Sequence, residues 1–215
     1  MAPDFPSAYE WHLSNDTRFA LSEGSDHFES RGKVHETLRR ITSRLDSLGI
    51  PHAIVGGMAL FLHGYHRFTD DVDLLVTPEN LARIHQELEG LGYVPPFSGS
   101  KNLRDTESGV RIEFLTTGSF PGDGKPKPVA FPDPANATIT VDNLHVLSLP
   151  RLIDLKLASG MTNPARLKDQ ADVLELIKIL HLPALFVDQL NPYVRDRFNA
   201  LHAAAQSPDP LDEHG

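Results

Sequence analysis

Apolar residues recur every three or four positions in GKVHETLRRITSRLDSLGI, where Val34, Leu38, Ile41, Leu45 and Leu48 form one stripe. That spacing predicts an amphipathic helix, and Gly49 stands where such a helix stops. The period then changes. PHAIVGG is a short apolar run ending at paired glycines and reads as a buried strand. MALFLHG reads as a short helix, and DVDLLV as a second strand. Thr77 and Pro78 suit an N-cap and first helical position. The helix they open carries Leu81, Ile84, Leu88 and Leu91 on one face. A polar loop leads to GVRIEFLT, a third strand. The Pro/Gly-rich stretch from Gly118 to Asn136 must be a loop, either a lid over a site or an insertion. ATITVDNLHVLSL alternates well enough for one or two further strands. From Pro150 onward the pattern is helical, in RLIDLKLAS, in RLKDQADVLELIKIL and in residues 182–205.

Before the first helix, residues 1–30 show no periodicity. They mix Pro, Ser, Asp and Gly with Phe5, Tyr9, Trp11 and Phe19. A flexible extension is expected there, the alternative being an arm whose aromatics dock on the core. The predicted organisation is therefore an extension over 1–30, a core over 31–149, a helical module over 150–205 and a polar tail over 206–215. The order of elements predicts an α/β (α+β) fold, a mixed sheet flanked by helices with a C-terminal helical module. No internal repeat is visible.

Composition narrows the function classes. The 215 residues, 40% of them hydrophobic, suffice for one ordinary domain or a core plus a smaller one. The absence of cysteine excludes disulfides and thiolate metal sites. A formal net charge of −9 shows no basic run of the kind that grips a long nucleic acid. The N-terminus lacks the pattern of a secretory signal, and no apolar run approaches the roughly 18 residues of a membrane span. A soluble, cytoplasmic protein without a membrane partner is expected.

The chemistry sits in DVDLLV. Strand residues i and i+2 share a face, so Asp71 and Asp73 project together while Val72, Leu74 and Val76 point to a core. Adjacent carboxylates repel each other, and a hard divalent cation such as Mg²⁺ removes that penalty. Glu113 is a third acid inside an apolar strand, flanked by Ile112 and Phe114. If its strand lies beside DVDLLV, all three acids face one site, as two-metal phosphoryl transfer requires. Asp70 reads as a solvated strand end. Gly56 and Gly57 follow a strand and open a helix, where backbone N–H groups can approach a phosphate. His63 and His66 lack a third ligand at metal spacing and read as loop or surface residues, with His66 able to touch a base or ribose.

The stretch VGGMALFLHGYHRFTDDVDLLV resembles the signature of the nucleotidyltransferase superfamily related to DNA polymerase β. Gly56, Gly57, Asp71, Asp73 and Glu113 match that signature in order. Arg67-x-Thr69 resembles the step found in a minimal bacterial branch that includes the AbiEii-type toxins. LIDLKLASGMTNPARLKDQADVLEL is similar to the helical segment of that group through Lys156, Arg166, Lys168, Asp169 and Asp172. The resemblance spans roughly residues 33–180. Two departures stand out, Met58 in place of a small hydroxyl residue after the glycines and Glu113 in place of the commoner Asp.

The resemblance implies a polymerase-β-like core that transfers a nucleoside monophosphate from an NTP to an acceptor hydroxyl. Asp71, Asp73 and Glu113 would hold Mg²⁺ or Mn²⁺, and Glu113 would help deprotonate the acceptor. Gly56 and Gly57 would cradle phosphate. Lys156 and Lys168 would neutralise the triphosphate, with Arg67 assisting, while Thr69, Arg166, Asp169 and Asp172 would support and orient. The family's acceptors include tRNA, proteins and small molecules, and a toxin role would bring an antitoxin partner. The alternative is a catalytically silent nucleotide-binding module of the same fold. The sequence leaves the acceptor, the preferred NTP and the oligomeric state open.

Overall fold

The computed structural model describes residues 6–207, so the expectations for residues 1–5 and 208–215 lie outside the described residues. The chain divides into two compact units. The first runs to Leu62 and adds His66–Gly118 and Pro132–Leu147. The second combines His63–Tyr65, Ser119–Phe131 and everything from Ser148 onward.

One mixed sheet organises the first unit. Its strands are β1 (Ala53–Ile54), β2 (Asp71–Val76), β3 (Tyr93–Val94), β4 (Leu103–Asp105), β5 (Arg111–Thr116), β6 (Thr138–Val141) and β7 (Leu144–Leu147), in the order β3-β4-β5-β2-β1-β7-β6. β2 and β5 are parallel and pair along their whole length, from Asp71↔Arg111 to Val76↔Thr116. β1 pairs antiparallel with β2 and parallel with β7. Val72, Leu74, Ile112 and Phe114 are fully buried. The acids between them are only half-buried, which is the alternation of a strand with one wet and one dry face.

The helices of this unit are α1 (Ala8–Asn15), α2 (Thr17–Phe28), α3 (Lys33–Ser47), α4 (Gly56–Leu62), α5 (Pro78–Leu88) and the single turn α6 (Pro134–Ala137). α3 buries Val34, Leu38, Ile41 and Leu45, as its stripe predicts. It ends in a left-handed Gly49, with Ile50 N–H donating to Leu45 O and Gly49 N–H to Asp46 O. These two bonds close a Schellman motif. Thr77 caps α5 by accepting from Asn80 N–H, and Pro78 takes the first helical position. Leu91 lies beyond the end of α5 and is exposed, so it leaves the expected stripe.

The expected N-terminal extension is instead folded. α1 opens with a capping box in which Ser7 Oγ accepts from Glu10 N–H and Glu10 accepts from Ser7 N–H. Asp16 ends α1 and caps α2. Tyr9 is 2% exposed and packs edge-on to Phe19, with the Lys33 ammonium over both rings. His27 of α2 joins His35 and Phe61, with ring centroids 4.8 and 5.1 Å away. Its Nε2–H donates to Arg67 O at 3.0 Å, and His35 Nε2–H donates to His27 O at 3.0 Å.

β3 starts on Tyr93, at the end of the stretch expected to be helical, and β4 and the turn α6 fall where the sequence reads largely as loop. They are two to four residues long and carry too little pattern to register.

The second unit is helical. α7 (Leu149–Thr162) is buried along most of its length from Leu152 to Gly160. It packs on α8 (Leu167–Ile179), where a Cβ at Gly160 would lie 2.5 Å from Gln170 Cγ. Residues 182–205 form short 3₁₀ turns followed by α9 (Arg195–Ala205) rather than one helix. Residues 119–131 belong to this unit and not to the core. Asn163 Nδ2 donates to Gly122 O at 3.3 Å, and Asn191 Nδ2 to Pro128 O at 3.2 Å. Among the described residues, no helix is long and apolar enough to cross a membrane.

Burial, then the neighbouring His27, lower the pKa of His35 from its ordinary value to about 4, and burial lowers that of His27. The unfolded chain therefore binds these protons more readily than the folded one. The stabilising contribution of His35 is complete above its unfolded pKa of about 6.5 and is lost as pH falls through about 4, and that of His27 is lost in the same direction. Chemical denaturation at a series of pH values is expected to show stability falling over that window. His35→Phe is expected to flatten the fall.

Candidate functional site

The parallel pairing of β2 and β5 sets Asp73 opposite Glu113. Asp71, Asp73 and Glu113 each offer a carboxylate oxygen, and these oxygens lie within 4.8 Å of one another. This is the only such group of metal-ligating side chains among the described residues. The expected strand adjacency is thus present, and the three acids converge.

Around them the chain is arranged for close approach. Gly56 opens α4 with a left-handed φ of +60°, and a Cβ there would lie 1.7 Å from Asp73 Oδ2. A Cβ on Gly57 would lie 2.5 Å from Thr69 Oγ1. The double glycine therefore has a second physical reason beyond any phosphate: it lets Asp73 and Thr69 press against the start of α4. Val55 N–H donates to Asp73 O at 3.0 Å and anchors the turn.

Thr69 is buried and its hydroxyl donates to Asp71 Oδ1 at 2.9 Å. Burial raises the pKa of Asp71, and the charge of Asp70 adds to the rise. The Thr69 hydrogen bond and the charges of Arg111 and Arg67 oppose it. Asp70 itself is exposed, as expected, but its charge reaches Asp71 and Tyr9. Arg67 lies in the loop before β2, and its guanidinium donates to Phe68 O at 3.2 Å. His66 is exposed and stacks on Phe61 at 4.2 Å, while His63 belongs to the second unit. The three carboxylates, all oxygen donors and half-buried, fit a hard divalent cation.

Arg111 was not singled out by the sequence reading. Its Nε lies 3.3 Å from Glu113 Oε1, and it sits opposite Asp71 in the ladder. The signal was available, since Arg111 stands two residues before Glu113 and so shares its strand face.

The remaining candidates lie in the second unit. Lys156 is buried and pairs with Asp169 Oδ1 at 2.9 Å and Asp172 Oδ2 at 2.8 Å. Ser159 donates to Asp169 Oδ2 at 2.7 Å. Burial works to raise the pKa of Asp169, but Lys156, Ser159 and Arg166 together outweigh it and hold the carboxyl below its ordinary value. Arg166 and Lys168 are exposed.

No family model and no curated protein matches the chain. Solved structures similar to it include an antigenic nucleotidyltransferase-like protein from Paracoccidioides brasiliensis, 18% identical over 66% of this chain and 74% of that one, with a TM-score of 0.42. JHP933 from Helicobacter pylori is 18% identical over 84% and 83% of the two chains, TM-score 0.43. ANT(2'')-Ia, solved in complex with adenylyl-2''-tobramycin, is 14% identical over 80% and 95%, TM-score 0.41. At these identities and scores the likenesses carry nothing about activity.

Two outcomes are expected from this geometry. Burial favours the neutral form of Asp71, so folding takes up a proton. The stability this acid contributes is full below its unfolded pKa of about 4 and is lost as pH rises through the folded value. Asp71→Asn should therefore stabilise the metal-free protein at pH 7 and lose that advantage below about pH 4, in denaturation with a chelator present. Gly56→Ala should cost about 2 kcal/mol or more in the same measurement, because its φ and the Asp73 carboxylate both reject a Cβ.

Proposed function

We propose that the chain is a divalent-metal-dependent nucleotidyltransferase that moves a nucleoside monophosphate from an NTP to an acceptor hydroxyl. One observation carries the reading: three carboxylates on two in-register parallel strands bring their oxygens within 4.8 Å, beside a glycine turn that opens a helix. The sequence signature over residues 55–76 supports it.

In this reading Asp71 and Asp73 hold the ions and Glu113 completes the site. Bound Mg²⁺ or Mn²⁺ would neutralise phosphate charge and favour the alkoxide of the acceptor. The acceptor oxygen attacks the α-phosphorus, the bond to the β-phosphate oxygen breaks, and pyrophosphate leaves. Glu113 takes the hydroxyl proton. Thr69 fixes the rotamer of Asp71 through its hydrogen bond. Gly56 and Gly57 make room for Asp73 and Thr69 at the start of α4, and their phosphate-cradling role rests on the sequence resemblance. Arg67 supplies a cation. Lys156 already serves Asp169 and Asp172, so its task in this reading is to hold α7 to α8. For Lys168 and Arg166 a nucleotide role rests on the sequence resemblance alone.

The acceptor class is a hydroxyl on RNA, protein or a small molecule. A toxin role would show as growth arrest on expression, relieved by a neighbouring antitoxin. The chemistry is tested by incubating the chain with each α-labelled NTP and a panel of tRNA, protein and aminoglycoside acceptors. Label transfer is expected to need Mg²⁺ or Mn²⁺ and to fall about 100-fold or more in Asp71→Ala plus Asp73→Ala. Transfer that survives the double substitution would sink the mechanism. Absence of Mg²⁺-dependent NTP binding in calorimetry would favour the catalytically silent module.

A further inference from the structure

The N-terminal arm meets two arginines, one of which, Arg111, also reaches the acid triad. Glu10 occupies the third position of α1, where its Oε2 accepts from Ser7 N–H at 2.8 Å and from Arg104 Nη1 at 2.7 Å. Its Oε1 lies 3.8 Å from Arg111 Nε. The same Nε lies 3.3 Å from Glu113 Oε1. One guanidinium thus stands between a carboxylate of the arm and a carboxylate of the triad. Arg104 and Arg111 face each other across the β4–β5 ladder, which holds both cations over Glu10.

The side chains of Glu10 and Arg104 are 19% and 10% exposed, those of Arg111 and Glu113 33% and 34%. Charges so placed interact more strongly than in bulk water, though solvent still screens the outer pair. A guanidinium is a permanent monovalent cation and competes with any divalent ion for Glu113. We propose that Glu10 is a positioning residue for the third carboxylate: it shares the charge of Arg111 and so keeps Glu113 open to a divalent cation. Glu113, at 3.3 Å, already lies nearer the Arg111 Nε than Glu10 does at 3.8 Å; without the Glu10 charge it no longer shares that guanidinium with the arm, and an incoming ion has to displace a tighter pair. The loss of one negative charge near the triad acts in the same direction. The proposal rests on the divalent-cation reading of Asp71, Asp73 and Glu113.

Mn²⁺ titration of the full chain, read by calorimetry and by the paramagnetic signal of free Mn²⁺, tests it without any acceptor. Glu10→Gln is expected to weaken Mn²⁺ binding about three- to tenfold, the scale of one partly screened ion pair. Arg111→Gln is expected to tighten it. In the Arg111→Gln background, Glu10→Gln should change affinity by less than about twofold, because only its direct charge effect remains. Ser7→Ala removes the helix cap but keeps the carboxylate, and should leave affinity unchanged. If Glu10→Gln does not fold, Glu10→Asp keeps the charge but shortens its reach, and weakening is again expected. Wild-type affinity in Glu10→Gln, or an effect undiminished when Arg111 is also changed, overturns the proposal. The underlying reading fails differently: the wild-type chain would not bind Mn²⁺, or Asp73→Asn would bind it equally well.

Discussion

The register between β2 and β5 is the constraint on which the site depends. Six residue pairs run in parallel from Asp71↔Arg111 to Val76↔Thr116. Val72 and Leu74 on one strand and Ile112 and Phe114 on the other are fully buried, and this apolar face fixes the alignment. A slip of one residue would turn the acids of one strand into the core and its aliphatic residues into water. The hydrophobic effect thus does the positioning, and the carboxylates are placed by what lies behind them. Their own interactions oppose the arrangement.

That opposition is managed by neighbours chosen for reach and size. Thr69 gives Asp71 a hydroxyl donor at 2.9 Å, and Arg111 gives Glu113 a cation at 3.3 Å. Gly56 gives Asp73 room that any side chain would remove. The result is a locally costly cluster on a well-packed scaffold, the combination expected where structure is held for chemistry. In the second unit, Lys156 shows the opposite solution. Its ammonium is enclosed between Asp169 and Asp172, so the cation is compensated internally and held away from water.

Much of this was legible in the chain because local rules agree with the fold. The alternation of Asp71, Val72, Asp73 and Leu74 gave both the strand and its wet face, and Thr77-Pro78 marked the start of α5. The α3 stripe and Gly49 were read for the same reason. The N-terminal helices escaped because α1 buries only Tyr9, so no stripe exists to be seen. Ser7 and Glu10 do carry capping-box spacing, the one local signal for the start of α1. β3 and β4 escaped because β3 is held by its ladder to β4 and β4 by its ladder to β5, a non-local property. The enclosure of Lys156 likewise depends on residues 13 and 16 positions away meeting across two helices.

β1 consists of Ala53 and Ile54 alone, yet it joins the two parts of the sheet. Ile54 pairs with Leu74 on one side and Val146 on the other. Four strands, including both acid-bearing ones, lie to one side of this seam, and the β6–β7 hairpin lies to the other. With two residue pairs to β2 and one to β7, β1 is the narrowest join in the sheet, and it is held by burial rather than by ladder length, since Ile54 and both its partners are fully buried. The acids are thus separated from the hairpin by a strand whose place in the sheet depends on the core around it, so a cavity cut at Ile54 would be felt on both sides of the seam.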